Sequence, residues 1–168
     1  MTNDRPNERT VTARAGEQSI AFTREFEAPA ALVFAAHTDP ALLGRWTGPR
    51  GTEMRVREFD ARTGGCWSYV IQGASGEWAF HGSFHEVTAP GRLVQTWEFE
   101  GDPGNPTFEV LTFSDLPGGR SLLEGLSLFL TVEARDAMLG GMDEGMDENF
   151  HRLDELIAAG ELAGAPSA

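Results

Sequence analysis

In the segment LGGMDEGMDENFHRLDELIAA, residues 139–159, Glu148 and His151 stand three positions apart. Helical bundles hold pairs of iron ions with this carboxylate–imidazole spacing, but they take the motif from two helices, and this chain contains it once. At about 100° per residue, Leu139, Met142, Met146, Asn149, Phe150, Leu153 and Ile157 form one stripe. His151 lies opposite it, and Glu144, Asp147, Glu148 and Glu155 fall on the solvent side. No metal and no other cofactor is therefore expected. His81 and His85 share a strand face and could hold a metal with a carboxylate, although an exposed polar face is the simpler reading. His37, in AAHTDP, sits near a helix end, where capping or core packing is its usual role. Cys66 comes with no signature that supplies a base, and no nucleophile elbow is present. Gly64-Gly65 and Gly118-Gly119 join strands and open no phosphate-cradling helix. The 13 cationic side chains are all arginine, so Schiff-base, P-loop and kinase-type lysine chemistry is excluded.

The chain that positions these groups has 168 residues, the size of one domain that buries roughly two-thirds of its unfolded surface. A hydrophobic content of 40% with four tryptophans argues for a core and against disorder. The net charge of −13 opposes binding to nucleic acid or to an anionic membrane. No run approaches the roughly 18 apolar residues of a membrane span, and MTNDRPNERT does not read as a signal peptide. One cysteine allows no internal disulfide and fits a reducing cytoplasm.

Residues 1–17 read as a flexible lead-in with a short strand at Thr10–Arg14, 18–160 as a single domain, and 161–168 as a flexible tail. SIAFTREFEA alternates, with Ile20, Phe22 and Phe26 on one face of a strand. Pro29 opens a helix carrying Leu32, Val33 and Ala36; Asp39-Pro40 stops it and starts a second, PALLGRW, which Gly48-Pro49 ends. The period then changes to two. EMRVREFDAR, CWSYVIQ, EWAFHGSFHEV, RLVQTWEFE, FEVLTFS and SLLEGLSLF are strands joined by glycine- and proline-rich turns, an antiparallel meander. Thr131 caps a long helix that runs to about Ala159. The fold class is α+β: a seven-stranded antiparallel sheet that must curl, with its concave face covered by the terminal helix.

Trp67, Tyr69 and Ile71 align on one strand face, as do Leu93, Gln95, Trp97 and Phe99 on another. Trp78, Phe80, Gly82, Phe84 and Glu86 align in the same way on the strand between them. Aromatic rings interspersed with Gly82, Gln95 and Glu86 fit either a large core or a lined pocket with polar handles. Asn149 interrupts the apolar stripe of the long helix, so its amide must meet the sheet, a ligand or water. Gly141 and Gly145 flank that stripe and predict either close packing on the sheet or a ligand portal.

FTREFEAPAALVFAAHTDPALLGRWTGP, EFDARTGGCWSYV, FHGSFHEVTAPGRLVQTWEFEG and EARDAMLGGMDEGMDENFHRLDELI follow one another in an order that resembles the heat-shock-protein 90 ATPase activator homology family. That family belongs to the START-like (SRPBCC) superfamily, and the resemblance spans Ser19 to Ala159. It implies the helix-grip fold, in which a curved sheet wraps a long C-terminal helix with a cavity between them. It also implies a structural turn at Asp60, Arg62, Gly64 and Gly65, and a Gly-Met pair repeated as Gly141-Met142 and Gly145-Met146. The family's Trp-Trp-Gly-Pro motif appears as Trp46-Thr47-Gly48-Pro49. Losing the second tryptophan implies a wider or more polar cavity entrance.

Three functions follow from these readings. The first is binding of a small hydrophobic or aromatic, lipid- or polyketide-like ligand. Trp46, Trp67, Tyr69, Trp78, Phe80, Phe84, Trp97, Met142 and Met146 would line its cavity, and Gln95 and Asn149 would orient it. The second is a cyclase- or dehydratase-type enzyme in the same cavity. Its base would be Glu86, raised by burial, unless that side chain points to solvent or meets an arginine such as Arg62. The third is a co-chaperone-like interaction module, which rests on the resemblance alone.

Overall fold

The computed structural model describes residues 7–162, apart from the side chains of 142–144. The elements are, in chain order, β1 (Thr10–Thr12), β2 (Ser19–Phe26), α1 (Ala30–Thr38), α2 (Pro40–Trp46), β3 (Glu53–Phe59), β4 (Cys66–Gly73), β5 (Gly76–Thr88), β6 (Arg92–Phe99), β7 (Thr107–Leu116), β8 (Arg120–Leu128) and α3 (Val132–Ala158). The strands form one antiparallel sheet in the order β1-β2-β8-β7-β6-β5-β4-β3. It has eight strands where seven were expected, because Thr10–Thr12 adds an edge strand paired with Ala21–Thr23 of β2. Three exposed residues are too few to show alternation, so β1 is set by its partner and not by its own pattern. Residues 1–6 and 163–168, within the expected lead-in and tail, lie outside the described residues. Of their neighbours, Arg9 pairs with Asp147 at 2.8 Å and Leu162 is buried.

The meander from β3 to β8 runs through short turns, and β2 pairs with β8 from Ser19↔Leu128 to Phe26↔Ser121. The helices α1 and α2 carry the chain from β2 to β3 at the far edge. Asp39 caps α2 by accepting from the Ala41 N–H at 2.9 Å, with Pro40 at the first helical position. Thr131 caps α3 by accepting from the Ala134 N–H at 3.0 Å, and Glu133 lies in the first turn, where the helix dipole favours an anion.

Arginines fasten α3 to the rest of the domain. Near its start, Arg135 is buried and donates to the carbonyl of Arg14 at 2.9 Å. Towards its end, Arg24 of β2 meets Asp154 with both terminal nitrogens, at 2.7 and 2.5 Å. Arg152 donates to the Gly48 and Arg45 carbonyls, and Arg50 pairs with Glu148 at 3.2 Å and Glu155 at 2.8 Å. The carboxylate of the Glu148–His151 spacing is thus taken up by an arginine, while His151 lies exposed 4.0 Å from Asp154. On the inner stripe Phe150 and Leu153 are buried, and Phe150 packs on Phe22, Phe26 and Trp46. Of the two alternatives at Gly141 and Gly145, close packing on the sheet is not found among the described residues. A methyl group at Gly140, Gly141 or Gly145 would meet no atom within 4 Å. Each of these glycines costs the helix about 1 kcal/mol, and no close approach of a neighbour offsets it. Among the described residues no helix is long and apolar enough to cross a membrane.

Candidate functional site

The curl of the sheet brings the inner faces of seven strands, β2 to β8, against the three helices. Trp67 and Tyr69 of β4, Phe84 of β5, Gln95 and Trp97 of β6, Trp46 of α2, and Met146, Asn149 and Phe150 of α3 surround a cavity of about 160 Å³. Phe22, Leu111 and Leu123 complete it from β2, β7 and β8. The rings are held firmly: Trp67 stacks on Tyr69 with centroids 5.1 Å apart, and the Trp46 Nε1–H donates to the Ala36 carbonyl at 3.0 Å. The Trp67 indole N–H is buried and has no hydrogen-bond partner among the described residues.

Trp78 and Phe80 do not reach this cavity. They border an adjoining pocket of about 320 Å³ that also touches Tyr69, Trp97, Thr47, Gly48 and Pro49. They also border an apolar groove of about 610 Å³ that runs to Phe129 and Met138 under the first half of α3. Thr47, in place of the family's second tryptophan, lines both the cavity and the adjoining pocket. The Met142 side chain lies outside the described residues. Asn149 lines the cavity half-buried, and its amide has no hydrogen-bond partner among the described residues.

Glu86 is not inside. A β-bulge shifts the β5–β6 register between Phe84 and Glu86, so Phe84 still faces Gln95 but Glu86 is set against Val94. The extra residue ends the parity that aligned 78, 80, 82, 84 and 86. Val87 packs against the core instead, and Glu86 pairs with Arg92 at 2.9 Å on the outer surface. The cation that takes it is Arg92, not Arg62, which bonds Asp60 at 2.7 Å.

The acid that does line the cavity is Glu109 of β7. In the sheet register it stands between Gln95 on β6 and Ser127 on β8, and both neighbours hydrogen-bond its carboxyl, Gln95 from 2.9 Å. Burial pushes this carboxyl above the usual range, and the two hydrogen bonds only partly offset it. Phe108 and Val110 flank it in sequence, so the start of β7 looks polar on the Glu109 side only by default. Leu111 and Phe113, buried and of the same parity as Glu109, are the signal that it points inward.

His37 also lines the cavity, packed against Trp46 and Phe113 with its Nδ1–H donating to the Val33 carbonyl at 2.8 Å. Desolvation lowers it from 6.5 to about 4, the backbone hydrogen bond opposing only in part. The folded state therefore excludes the imidazolium, and the stability this group contributes is present above pH 6.5 and lost as pH falls towards 4. The loss should reach roughly 3 kcal/mol by pH 4. Urea unfolding across this window should show the parent losing stability more steeply than His37→Gln; parallel profiles would refute the assignment.

The remaining chemical groups are structural or peripheral. Gly64 has φ +85° and Gly65 has no room for a methyl against the Asp60 carbonyl, which explains the turn before β4. A hydrogen bond to Glu58 raises the Cys66 thiol, making it a poorer nucleophile. His81 lies exposed between Glu98 and Glu100, and His85 lies exposed against Phe108.

No curated protein matches the sequence. Among solved structures, a protein from Rhodobacter sphaeroides is 30% identical, with a TM-score of 0.82 over 90% of this chain and 99% of its own. A Staphylococcus epidermidis protein is 25% identical, with a TM-score of 0.78 over 89% and 94%. An HSP90 activator from Plasmodium falciparum shares the fold at 24% identity, with a TM-score of 0.52 over 66% of this chain and 72% of its own. The family model described as "Activator of Hsp90 ATPase homolog 1-like protein" matches residues 27–158. With its helix-grip architecture, the chain therefore belongs to that family, within the START-like superfamily.

Proposed function

We propose that this protein binds a small hydrophobic or aromatic molecule in the cavity between the sheet and α3, in the cytoplasm. The observation that carries the reading is the aromatic-walled space of about 160 Å³, continuous in lining residues with the pocket at Thr47–Pro49. An engineered apolar cavity of about 150 Å³ takes up benzene, so the inner space fits one ring, and the pocket and groove beyond it fit a substituent. Three tryptophans and Tyr69 would report occupancy through their emission. Toluene at about 100 times its dissociation constant should add about 2.7 kcal/mol to unfolding stability. Met146→Trp, which fills the space from α3, should abolish the gain. An unchanged midpoint for the parent in toluene would count against the reading.

The enzymatic alternative no longer has Glu86 as its base and would have to use Glu109. A second reading, partnership with an HSP90-type chaperone, is supported by the family description and by the Plasmodium falciparum neighbour. A purified chaperone ATPase is the partner to titrate.

A further inference from the structure

The geometry points to an organic ammonium ion as the ligand of the cavity: a compact amine whose cationic head sits beside Glu109 and whose apolar body lies among the rings. The inference rests on the cavity-binding reading and names the ligand's chemistry. Three independent observations carry it.

The first is an acidic group without a counter-charge. Glu109 is bonded by Gln95 and Ser127, both neutral, and among the described residues no arginine lines the cavity. The other titratable groups there are Tyr69, whose phenol burial pushes up, and His37, which burial keeps neutral. A half-buried carboxyl with neutral partners is costly, and a cation delivered by the ligand would complete it. Both neighbours donate to the carboxyl oxygens, which favours the anionic form that an ammonium needs.

The second is the wall. Trp46, Trp67, Tyr69, Phe84 and Trp97 present rings to one small space. The faces of such rings carry negative quadrupole density, and a cation among them, away from water, is favoured over a neutral ligand of the same shape. An anionic ligand would meet repulsion from both the rings and Glu109.

The third is the whole-molecule field. A net charge of −13 raises the local concentration of cations and speeds their arrival.

Three ligands of nearly equal shape separate the possibilities: 2-phenylethylamine, propylbenzene and 3-phenylpropanoate, titrated calorimetrically at pH 7 and moderate salt. The amine should bind the parent at least about tenfold more tightly than the hydrocarbon, and the carboxylate should bind most weakly. In Glu109→Gln, with its fold checked by its unfolding midpoint, the ratio of amine to hydrocarbon affinity should fall to within about twofold. Should propylbenzene bind as well as the amine, or the amine keep its advantage in Glu109→Gln, the inference is overturned while the cavity reading stands. Failure of all three to bind overturns both. The ranking on the parent protein decides the matter even if the variant does not fold.

Discussion

Asp154→Ala should lower the unfolding free energy by about 3–5 kcal/mol, among the largest losses of any single side chain in the domain. Its partner Arg24 is 2% exposed and sits on the inner face of β2 between Phe22 and Phe26. The guanidinium lies 4.5 Å from the centroid of Phe26 and 5.7 Å from that of Phe150, and it also donates to the Glu25 carbonyl. Without Asp154 those contacts remain, but an ion that cannot shed its proton is left without its carboxylate. The pair also ties β2 to α3, so its loss loosens the lid of the cavity. Replacing both residues, as Arg24→Met with Asp154→Leu, should recover much of the loss, because apolar groups of similar volume satisfy a buried site at no charge penalty. Urea unfolding of the single and double variants measures this. A single-variant loss below about 1 kcal/mol would mean that the pair behaves as a surface ion pair.

Gly82→Ala should be nearly as damaging, by about 3 kcal/mol or slightly more. A methyl there would overlap the Thr96 carbonyl oxygen of the neighbouring strand and stand 2.7 Å from ring carbons of Trp67. Trp67 lies directly across from Gly82 in the β4–β5 register, and its indole occupies the place a side chain would take. The Thr96 carbonyl can move aside only by disturbing the ladder, and the Trp67 ring must move as well, into the cavity. The melting temperature should therefore fall by about 6–12 °C and the stabilisation by toluene should disappear with it. A variant that melts within about 2 °C of the parent and still responds to toluene would show that the strand absorbs the methyl.

Much of the architecture was legible because two periods dominate the chain. Period two carried the strands from Glu53 to Leu128, and the stripe through Met146, Phe150 and Leu153 placed α3 over them. The part of the cavity lining on β4 to β6 followed from the same parity, since Trp67, Tyr69, Phe84, Gln95 and Trp97 alternate cleanly. Parity failed where a backbone irregularity interrupts it. Nothing in HGSFHEV marks the bulge that turns Glu86 outward. It also failed where a charged residue takes an inward position for a reason that lies elsewhere in the chain. Arg24 shares the parity of Ile20, Phe22 and Phe26 and so must face the core, but its justification is Asp154, 130 residues away. Glu109 is the same case with Gln95 and Ser127. The glycines of α3 left two readings open for a different reason: a glycine in a helix records the absence of a side chain and says nothing of whether a neighbour occupies the space.

β7 begins with its amphipathy inverted, Glu109 turned inward and Phe108 turned out at 37% exposure. An apolar side chain at 109 would remove an inward-facing carboxyl and fill empty space, so stability alone would favour it. A laboratory campaign that ranks variants by melting temperature would accordingly be drawn to position 109 and report an improvement there. It would be erasing the group that gives the cavity its chemical character.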